Sequence, residues 1–346
     1  MKNVLNDDFQ RIAESNLSFD EFRNRSFLIT GATGLIGSLL VRTLLYCNHV
    51  HRLNLKVYAV VRSIDKARSI FGETDGDLEY VVCDLAKDAI TCSGHCDYFI
   101  HAAAVTTSKL MVSDPVGTIR TAIDGTEKLL KLAVAQKAKA FVYISSMEIY
   151  GQPKEEGRTS EKDLGYIDIS TVRSCYPEGK RMCECLCNAY AAQYGLNVKS
   201  ARLAQTFGAG ILPTENRVFA QFARSAMNGE DIVLHTTGES EGNYVYTADA
   251  VRAILTLLVK GESGEAYNIA NEESHTTIRN MAELVASEIA GNKIKVVIDI
   301  PEDSASLGYA PPVKMWLDSS KMRALGWKPT VGMVEAYKRM ICWMQN

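Results

Sequence analysis

A glycine-rich turn between an apolar strand and a helix constrains the fold of this chain more than any other feature. The turn follows the short apolar segment Ser26–Thr30 and precedes a stretch with helical apolar spacing. This order is the context of a dinucleotide-binding turn. Gly31 permits the tight turn, Gly34 lets the backbone approach a pyrophosphate, and Gly37 lets helix and strand pack closely. The helix N-terminus then faces the phosphates with free N–H groups. The alternative is an ordinary strand-to-helix turn.

Strand and helix patterns alternate from this turn to about residue 205. The further predicted strands are 55–61, 78–82, 97–101, 140–145 and 198–203, and the two longest predicted helices are 115–134 and 177–194. Such alternation predicts an α/β fold with a Rossmann-type, doubly wound parallel sheet. The later pattern predicts a smaller α+β C-terminal lobe. The predicted regions are an N-terminal extension (1–24), a dinucleotide-binding domain (25–208) and a substrate-binding lobe (209–346), part of which returns to the first domain.

Charge and hydropathy exclude several classes of protein. The net charge of −3 gives no electrostatic footprint for nucleic acid. The sequence has no apolar run of membrane-helix length and no apolar core of a signal peptide near its start, so we expect neither a membrane partner nor export. The nine cysteines are expected to be reduced thiols in the cytoplasm. Cys92 and Cys96 with His95 could bind a metal, but without a second ligand pair we expect none.

Tyr176 and Lys180 lie four residues apart on the helix predicted to open at Pro177, so they share one helix face. A lysine ammonium beside a phenol favours phenolate and is expected to lower the pKa of Tyr176, making it a general acid/base. Ser145 and Ser146 end an apolar strand, at the edge where sites form in parallel sheets. A serine there can hydrogen-bond the same substrate oxygen as Tyr176.

Five motifs in this order resemble a known family, the extended short-chain dehydrogenases/reductases of the NAD-dependent epimerase/dehydratase type, whose members mostly act on nucleotide sugars. They are Gly31-x-x-Gly34-x-x-Gly37, Asp84-Leu85, His101-Ala102-Ala103-Ala104, Ser146-Met147-Glu148-Ile149-Tyr150-Gly151 and Tyr176-x-x-x-Lys180. The resemblance covers the chain from about residue 26 to its end. It implies an NAD(P)-dependent enzyme, and we expect a homodimer with a nucleotide-sugar substrate.

The resemblance also implies roles for individual residues. Catalysis is assigned to Ser146, Tyr176, Lys180 and Glu148. The expected cofactor-binding residues are Gly31, Thr33, Gly34, Leu35, Ile36, Gly37, Arg62, Asp84, Leu85, Ala102, Ala103, Ala104, Tyr176 and Lys180. The expected substrate-binding residues are Thr106, Ser146, Gln205 and Arg217.

Several positions depart from the family pattern. Met147 stands where dehydratases usually carry an aspartate that protonates the leaving hydroxyl, and a thioether cannot donate a proton. Gly242 stands where an arginine often holds the substrate pyrophosphate, and Gln205 replaces a usual asparagine. Ala122 replaces another asparagine. Arg217 or Arg224 is an alternative source of the missing charge, although each could equally be a solvated surface arginine.

The choice between NAD and NADP depends on the end of the second strand. An acidic residue there would bind the ribose hydroxyl of NAD, but the chain has Arg62. Arg62, with Ser63 and Lys66, could accommodate the 2′-phosphate of NADP. The sequence favours NADP slightly, and NAD stays the alternative.

The leading hypothesis from these patterns is a nucleotide-sugar 4,6-dehydratase that acts through a 4-keto intermediate. Glu148 could abstract the C5 proton in such an enzyme. A 4-epimerase and a UDP-glucuronate decarboxylase share the first oxidation step and stay open, and the segment Arg173–Arg181 resembles the decarboxylase version of its helix. Two alternatives belong to other classes: an NADPH-dependent carbonyl reductase and a non-catalytic dinucleotide-binding protein.

Overall fold

The computed structural model describes residues 3–74, 76–153, 157–301 and 313–345. The helices are α1 Val4–Ala13, α2 Leu35–His51, α3 Ile64–Phe71, α4 Ser108–Ser113, α5 Pro115–Ala135, α6 Cys175–Tyr194, α7 Val218–Asn228, α8 Thr247–Lys260, α9 Ile278–Leu284, α10 Ser320–Ala324 and α11 Met333–Met344. Short 3₁₀ turns cover Phe19–Phe22, Met147–Tyr150 and Val172–Ser174, and a π-helical turn covers Val285–Ile289.

The strands comprise seven that form one large sheet and seven short or peripheral ones. They are β1 Ser26–Thr30, β2 Lys56–Val61, β3 Leu78–Val82, β4 Tyr98–His101, β5 Ala140–Ser146, β6 Arg158–Thr159, β7 Val198–Leu203, β8 Gln205–Phe207, β9 Ile232–Leu234, β10 Glu241–Tyr246, β11 Glu265–Ile269, β12 Asn271–Thr277, β13 Val296–Ile298 and β14 Trp316–Leu317.

The large sheet is entirely parallel, in the order β11-β7-β5-β4-β1-β2-β3. The chain runs outward from β1 to β3 and then returns to β4 on the other side of β1. This reversal is the topological switch point, where ligands bind at the carboxyl ends of the strands. Thr30 and His101, the last residues of β1 and β4, are paired in register there. The predicted α/β, Rossmann-type fold is confirmed.

Helices cover both faces of this sheet, which explains its continuous apolar strands. The core on one face includes Leu40 and Leu44 of α2 and Ile254 of α8. The core on the other face includes Leu129 of α5 and Cys187 of α6. Because helices bury both faces of the sheet, a ligand can reach it at the carboxyl ends of the strands.

The rest of the chain forms three smaller sheets, β12-β10-β8, β13-β9 and β14-β6. Strand β11, from the predicted C-terminal lobe, lies at the edge of the large sheet and pairs with β7. The boundary between the two predicted domains stays a prediction. No helix within the described ranges combines the length and the apolar character that a membrane crossing requires.

Helix α1, in the predicted N-terminal extension, packs into the main core. Leu5, Phe9 and Ile12 are buried, and the helix contacts α2, α8 and α11. Asp8 is also buried: its carboxylate accepts hydrogen bonds from Tyr246 Oη at 2.6 Å and Arg339 Nη2 at 2.7 Å. Desolvation raises the pKa of Asp8 even though Tyr246 and Arg339 oppose this. The first helix is therefore a structural part of the fold.

Candidate active site

The glycine turn lies between the carboxyl ends of β1 and β4. Gly31 has φ of +65°, and a Cβ on it would lie 2.7 Å from the backbone nitrogen of Ala103. The N–H of Gly34 donates to the carbonyl of Gly31 at 2.9 Å. Gly34 is the N-cap of α2 and makes no side-chain capping bond, so first-turn N–H groups lack a side-chain acceptor. This uncapped helix start fits the pyrophosphate of a dinucleotide.

The other predicted cofactor residues lie along the same edge of the sheet. Ala102, Ala103 and Ala104 follow β4 and are partly exposed. Arg62 follows β2, is exposed, and makes no ion pair with the described residues. Asp84 and Leu85 follow β3, and Thr33, Leu35 and Ile36 are partly exposed around the start of α2. Because β4, β1, β2 and β3 are neighbours, these residues share one rim.

A buried histidine connects β1, β4 and α5 by hydrogen bonds at this rim. The sequence indicates it only as part of a motif. The N–H of Ala103 donates to Thr30 Oγ1 at 3.2 Å, and Thr30 Oγ1 lies 2.7 Å from His101 Nδ1. His101 Nε2 lies 3.1 Å from Thr126 Oγ1, which donates to the carbonyl of Ala122 at 2.6 Å. With Thr126 Oγ1 donating to Ala122 and Thr30 Oγ1 donating to Nδ1, these contacts fit a neutral His101 that carries its proton on Nε2. Burial, with a smaller effect of Lys180, lowers the pKa of His101 to about 3.

Ser146 and Tyr176 come together at the end of β5. Ser146 is its last residue, and Tyr176 is the second residue of α6, which begins at Cys175 rather than at Pro177 as predicted. Ser146 Oγ accepts a hydrogen bond from the N–H of Glu148 at 3.2 Å. An interaction with the Ser146 hydroxyl lowers the pKa of the Tyr176 phenol. The Ser145 hydroxyl is buried without a hydrogen-bond partner among the described residues. The assignment of Ser146 as the catalytic serine stays a prediction.

Lys180 lies one helical turn after Tyr176 but is directed at the strand. Its ammonium donates to the carbonyl of Ile144 at 2.7 Å, and Nζ lies 5.8 Å from the centre of the Tyr176 ring. Burial lowers the pKa of Lys180 to about 8. The pKa of Tyr176 is raised to about 12, first by burial and then by the Glu148 carboxylate. The expectation that Lys180 lowers the pKa of Tyr176 is therefore wrong.

Glu148 is held beside Tyr176 by an arginine that the sequence did not single out. Arg173 Nη2 donates to both carboxylate oxygens of Glu148, at 2.8 and 3.2 Å. The Arg173 guanidinium also lies over the Tyr176 ring, 5.5 Å from its centre. The sequence signals for Arg173 are its place three residues before Tyr176 and the resemblance of the segment Arg173–Arg181 to the decarboxylase version of the helix. Glu148 and Arg173 are each about one third exposed, so a ligand can reach the pair.

Two of the departures from the family pattern are neighbours in space. Met147 is buried, and a Cβ built on Gly242 would lie 3.8 Å from its Cε. This part of the site therefore presents a thioether and bare backbone where other family members were expected to carry charged groups.

The remaining predicted substrate-binding residues lie in different parts of the fold. Arg217 precedes α7, is bound by Glu215 at 2.7 Å, and lowers the pKa of Tyr176 through its charge. Gln205 is partly buried at the start of β8, paired with Tyr244 of β10. Thr106 is exposed between β4 and α4. Arg224 donates to the carbonyl of Glu215. The charge of Arg217 thus reaches Tyr176, as that of Arg173 does, and the roles of Arg217, Gln205 and Thr106 stay predictions.

The cysteines do not form a metal site in the part of the chain that the structure describes. Cys92 Sγ and Cys96 Sγ are 3.5 Å apart as free thiols. No group of three or more histidine, cysteine, aspartate or glutamate side chains with metal-binding geometry occurs within the described ranges. Cys183 and Cys187 are buried on one face of α6, whereas Cys185 is exposed.

Fold and site together define a class: a dinucleotide-binding enzyme with a serine, a tyrosine and a lysine at the switch point of a parallel sheet. Residues 27–270 match the model of the NAD dependent epimerase/dehydratase family. The chain belongs to this family. The predicted family is confirmed, and so is the prediction of an NAD(P)-dependent enzyme at the level of that family.

Two relatives in sequence cover almost the whole chain. UDP-glucuronic acid decarboxylase 6 of Arabidopsis thaliana is 29% identical over 319 residues, which are 92% of this chain and 88% of that protein. The dTDP-D-glucose 4,6-dehydratase of Bos taurus is 26% identical over 341 residues, which are 96% of this chain and 92% of that protein. Both relatives are named for nucleotide sugars.

Solved structures share the fold. The UDP-glucuronic acid 4-epimerase from Bacillus cereus, in complex with UDP-glucuronic acid and NAD, superposes with a TM-score of 0.73 at 21% identity. The match covers 92% of this chain and 99% of that one. At this identity the likeness shows the fold alone.

Proposed function

We propose that this protein oxidises C4 of a nucleotide sugar and then removes the C6 carboxylate as carbon dioxide. The observation that carries the proposal is the convergence of Ser146, Tyr176 and Glu148, with Arg173 bound to Glu148. NAD(P), when bound, supplies the hydride acceptor and later the hydride donor at C4.

The first step uses the serine and the tyrosine. Tyr176 takes the proton of the C4 hydroxyl, and Ser146 hydrogen-bonds the same oxygen. Lys180, anchored on the carbonyl of Ile144, holds a positive charge beneath them. The product of this step is a 4-keto sugar, whose C6 carboxylate is β to the ketone.

The second step follows from that ketone. The C5–C6 bond breaks, its electron pair moves toward the C4 oxygen, and carbon dioxide leaves. Hydrogen bonds from Ser146 and Tyr176 to that oxygen stabilise the negative charge. A proton that comes from water is then added at C5. The hydride returns to C4, and Tyr176 gives its proton back to the C4 oxygen. This route needs no acid for a leaving hydroxyl, which suits the thioether of Met147.

A 4,6-dehydratase, the hypothesis that the sequence favoured, is the second candidate. Glu148 beside Tyr176 supports it, because a carboxylate there could take the C5 proton. Against it, elimination of water from C6 needs a proton donor, and the Glu148 carboxylate is held in an ion pair by Arg173. A simple 4-epimerase would give the ion pair between Glu148 and Arg173 no role.

The experiment that separates these reactions is incubation with NAD or NADP and a panel of UDP- and dTDP-sugars, followed by mass spectrometry. Decarboxylation gives a product lighter by one carbon dioxide, and dehydration gives one lighter by one water. Epimerisation leaves the mass unchanged and alters chromatographic retention. Stoichiometric consumption of NADPH indicates a carbonyl reductase, and binding without any conversion indicates a non-catalytic protein.

The preference for NADP over NAD is a further part of the proposal. Arg62 is exposed at the end of β2 and unpaired among the described residues, so its guanidinium is available for a 2′-phosphate. We expect calorimetry to give tighter binding of NADP, and Arg62→Ala to narrow the difference by about 1.5–3 kcal/mol. Arg279→Ala, which removes another exposed arginine, is the control and should leave the difference unchanged. Tighter binding of NAD by the unaltered protein would reject this preference.

We also propose that the protein is a homodimer. Val116 and Ile119 of α5 and Met182 of α6 are exposed apolar side chains on two helices that pack together. Such a face suits a second copy of the same chain. Sedimentation equilibrium should give the mass of two chains, and the mass of one chain would contradict this. A cytoplasmic location stays a prediction that rests on the nine cysteines of the sequence.

A further inference from the structure

The ion pair between Arg173 and Glu148 lies beside the position that the C4 oxygen of a substrate would take. Ser146 and Tyr176 define that position, because both hydroxyls must reach the same oxygen. Glu148 lies next to this position, because its backbone N–H donates to Ser146 Oγ at 3.2 Å. The Arg173 guanidinium lies over the ring of Tyr176, the side chain that is proposed to receive the proton.

C4 of a sugar has two ring neighbours, C3 and C5, and the proposed decarboxylation makes the substituent on C5 the group that meets this pair. C5 is bonded to C4, and C6 is bonded to C5, so C6 cannot be far from the C4 oxygen. A neutral hydroxymethyl group at C6 would leave the ion pair between Arg173 and Glu148 intact. A carboxylate at C6 would face the Glu148 carboxylate, and two like charges at such a distance repel each other unless a cation lies between them.

We propose that Arg173 selects a uronate substrate by exchanging or sharing its carboxylate partner, an inference that rests on the proposed function. A guanidinium has five N–H donors and can bind two carboxylates, or it can leave one for the other. In the chain without substrate, only Nη2 of Arg173 is engaged with Glu148. The substrate carboxylate binds the guanidinium, and Glu148 becomes the weaker competitor.

This role predicts opposite effects for the two members of the pair. Arg173→Gln removes the cation and should weaken binding of a uronate, while a neutral sugar is little affected. Glu148→Gln removes the competing charge and frees Arg173, so binding of a uronate should tighten. If the pair were merely structural, both substitutions would weaken binding, and they would do so for both sugars.

The test is calorimetry of UDP-glucuronate and UDP-glucose with the full chain and saturating NAD(P)H, the reduced cofactor, which cannot accept the C4 hydride and so prevents turnover. We expect the unaltered protein to prefer UDP-glucuronate and Arg173→Gln to reduce that preference about tenfold to a hundredfold. Arg173→Lys should restore part of it, since it keeps the charge without the planar fork. Glu148→Gln should increase it. Arg279→Gln, which breaks the exposed ion pair with Glu283, should not change it.

These outcomes separate the inference from the proposed function because they report binding and not turnover. If the preference follows Arg173 but no carbon dioxide is lost, the proposed reaction fails and the carboxylate subsite remains. If the unaltered protein shows no preference, or if Glu148→Gln weakens UDP-glucuronate binding, the inference fails whatever the reaction. Thermal unfolding of each variant with bound cofactor excludes misfolding as the cause, and Glu148→Gln alone decides the sign if Arg173→Gln does not fold.

Discussion

Tyr176→Phe is expected to lower turnover by about 10²–10⁴-fold while cofactor binding and folding stay nearly intact. The phenol oxygen is the group that receives the C4 proton, and phenylalanine keeps the ring but not the oxygen. The ring contacts with Arg173 and Lys180 survive the substitution, so the site should keep its shape. Steady-state kinetics with the accepted sugar, together with the melting temperature, measure the two quantities.

The matched control for this substitution is Tyr194→Phe. Tyr194 lies on the same helix, α6, but is exposed at its end, away from Ser146. Its variant should keep full turnover. Near-normal turnover of a folded Tyr176→Phe protein would remove Tyr176 from the mechanism and with it the proposed oxidation at C4.

Gly37→Ala is expected to have the second large effect, on stability and on cofactor binding together. A Cβ on Gly37 would lie 2.1 Å from the carbonyl oxygen of Gly31 and 2.9 Å from Cα of Ala32. Helix α2 must then move away from the turn that is predicted to hold the pyrophosphate. Overpacking of this kind costs about 1–3 kcal/mol, which chemical denaturation measures, and the affinity for NAD(P) should fall at least about tenfold.

Gly179→Ala is the control for the glycine substitution, because it also replaces a helical glycine. A Cβ there would meet Ala122 Cβ at 3.6 Å, an ordinary contact. Alanine favours the helix by about 1 kcal/mol over glycine, so this variant should be as stable as the parent or more so. If Gly37→Ala were equally stable and bound NAD(P) normally, the close packing of turn and helix would not matter for the cofactor.

The large sheet could be predicted from the sequence because its strands are buried on both faces. Three predicted strands, Ser26–Thr30, Leu78–Val82 and Val198–Leu203, have the bounds that the structure gives them. The two-residue strands β6 and β14 could not be predicted. They pair Arg158 with Trp316 across most of the C-terminal half of the chain, and no local pattern encodes such a contact.

The first helix shows what a polar composition can conceal. Residues near the start of the chain include Asp7 and Asp8, and the segment looked like an extension. Its apolar residues Leu5, Phe9 and Ile12 nevertheless follow helical spacing, which indicates a buried face. What no spacing could indicate is that Asp8 is buried too, since its partners come from β10 and α11.

Some features of the candidate site could likewise be predicted from the sequence, and others could not. The sequence order placed Ser146, Tyr176 and Lys180 in one site because strand ends and helix faces are local properties. The direction of the Lys180 ammonium depends on the carbonyl of Ile144, and the raised pKa of Tyr176 depends on burial and on the Glu148 carboxylate. Glu148 and Arg173 are separated by more than twenty residues in the sequence, so their pairing could not be inferred from spacing.

The most direct test of the central claim is the mass of the product formed from UDP-glucuronate that carries deuterium at C4. The account predicts a product lighter by one carbon dioxide that still contains the deuterium, because the hydride taken from C4 returns to C4. No net consumption of NAD(P) should accompany this conversion. A product of unchanged mass, or deuterium that remains on the nicotinamide, would contradict oxidation at C4 followed by decarboxylation.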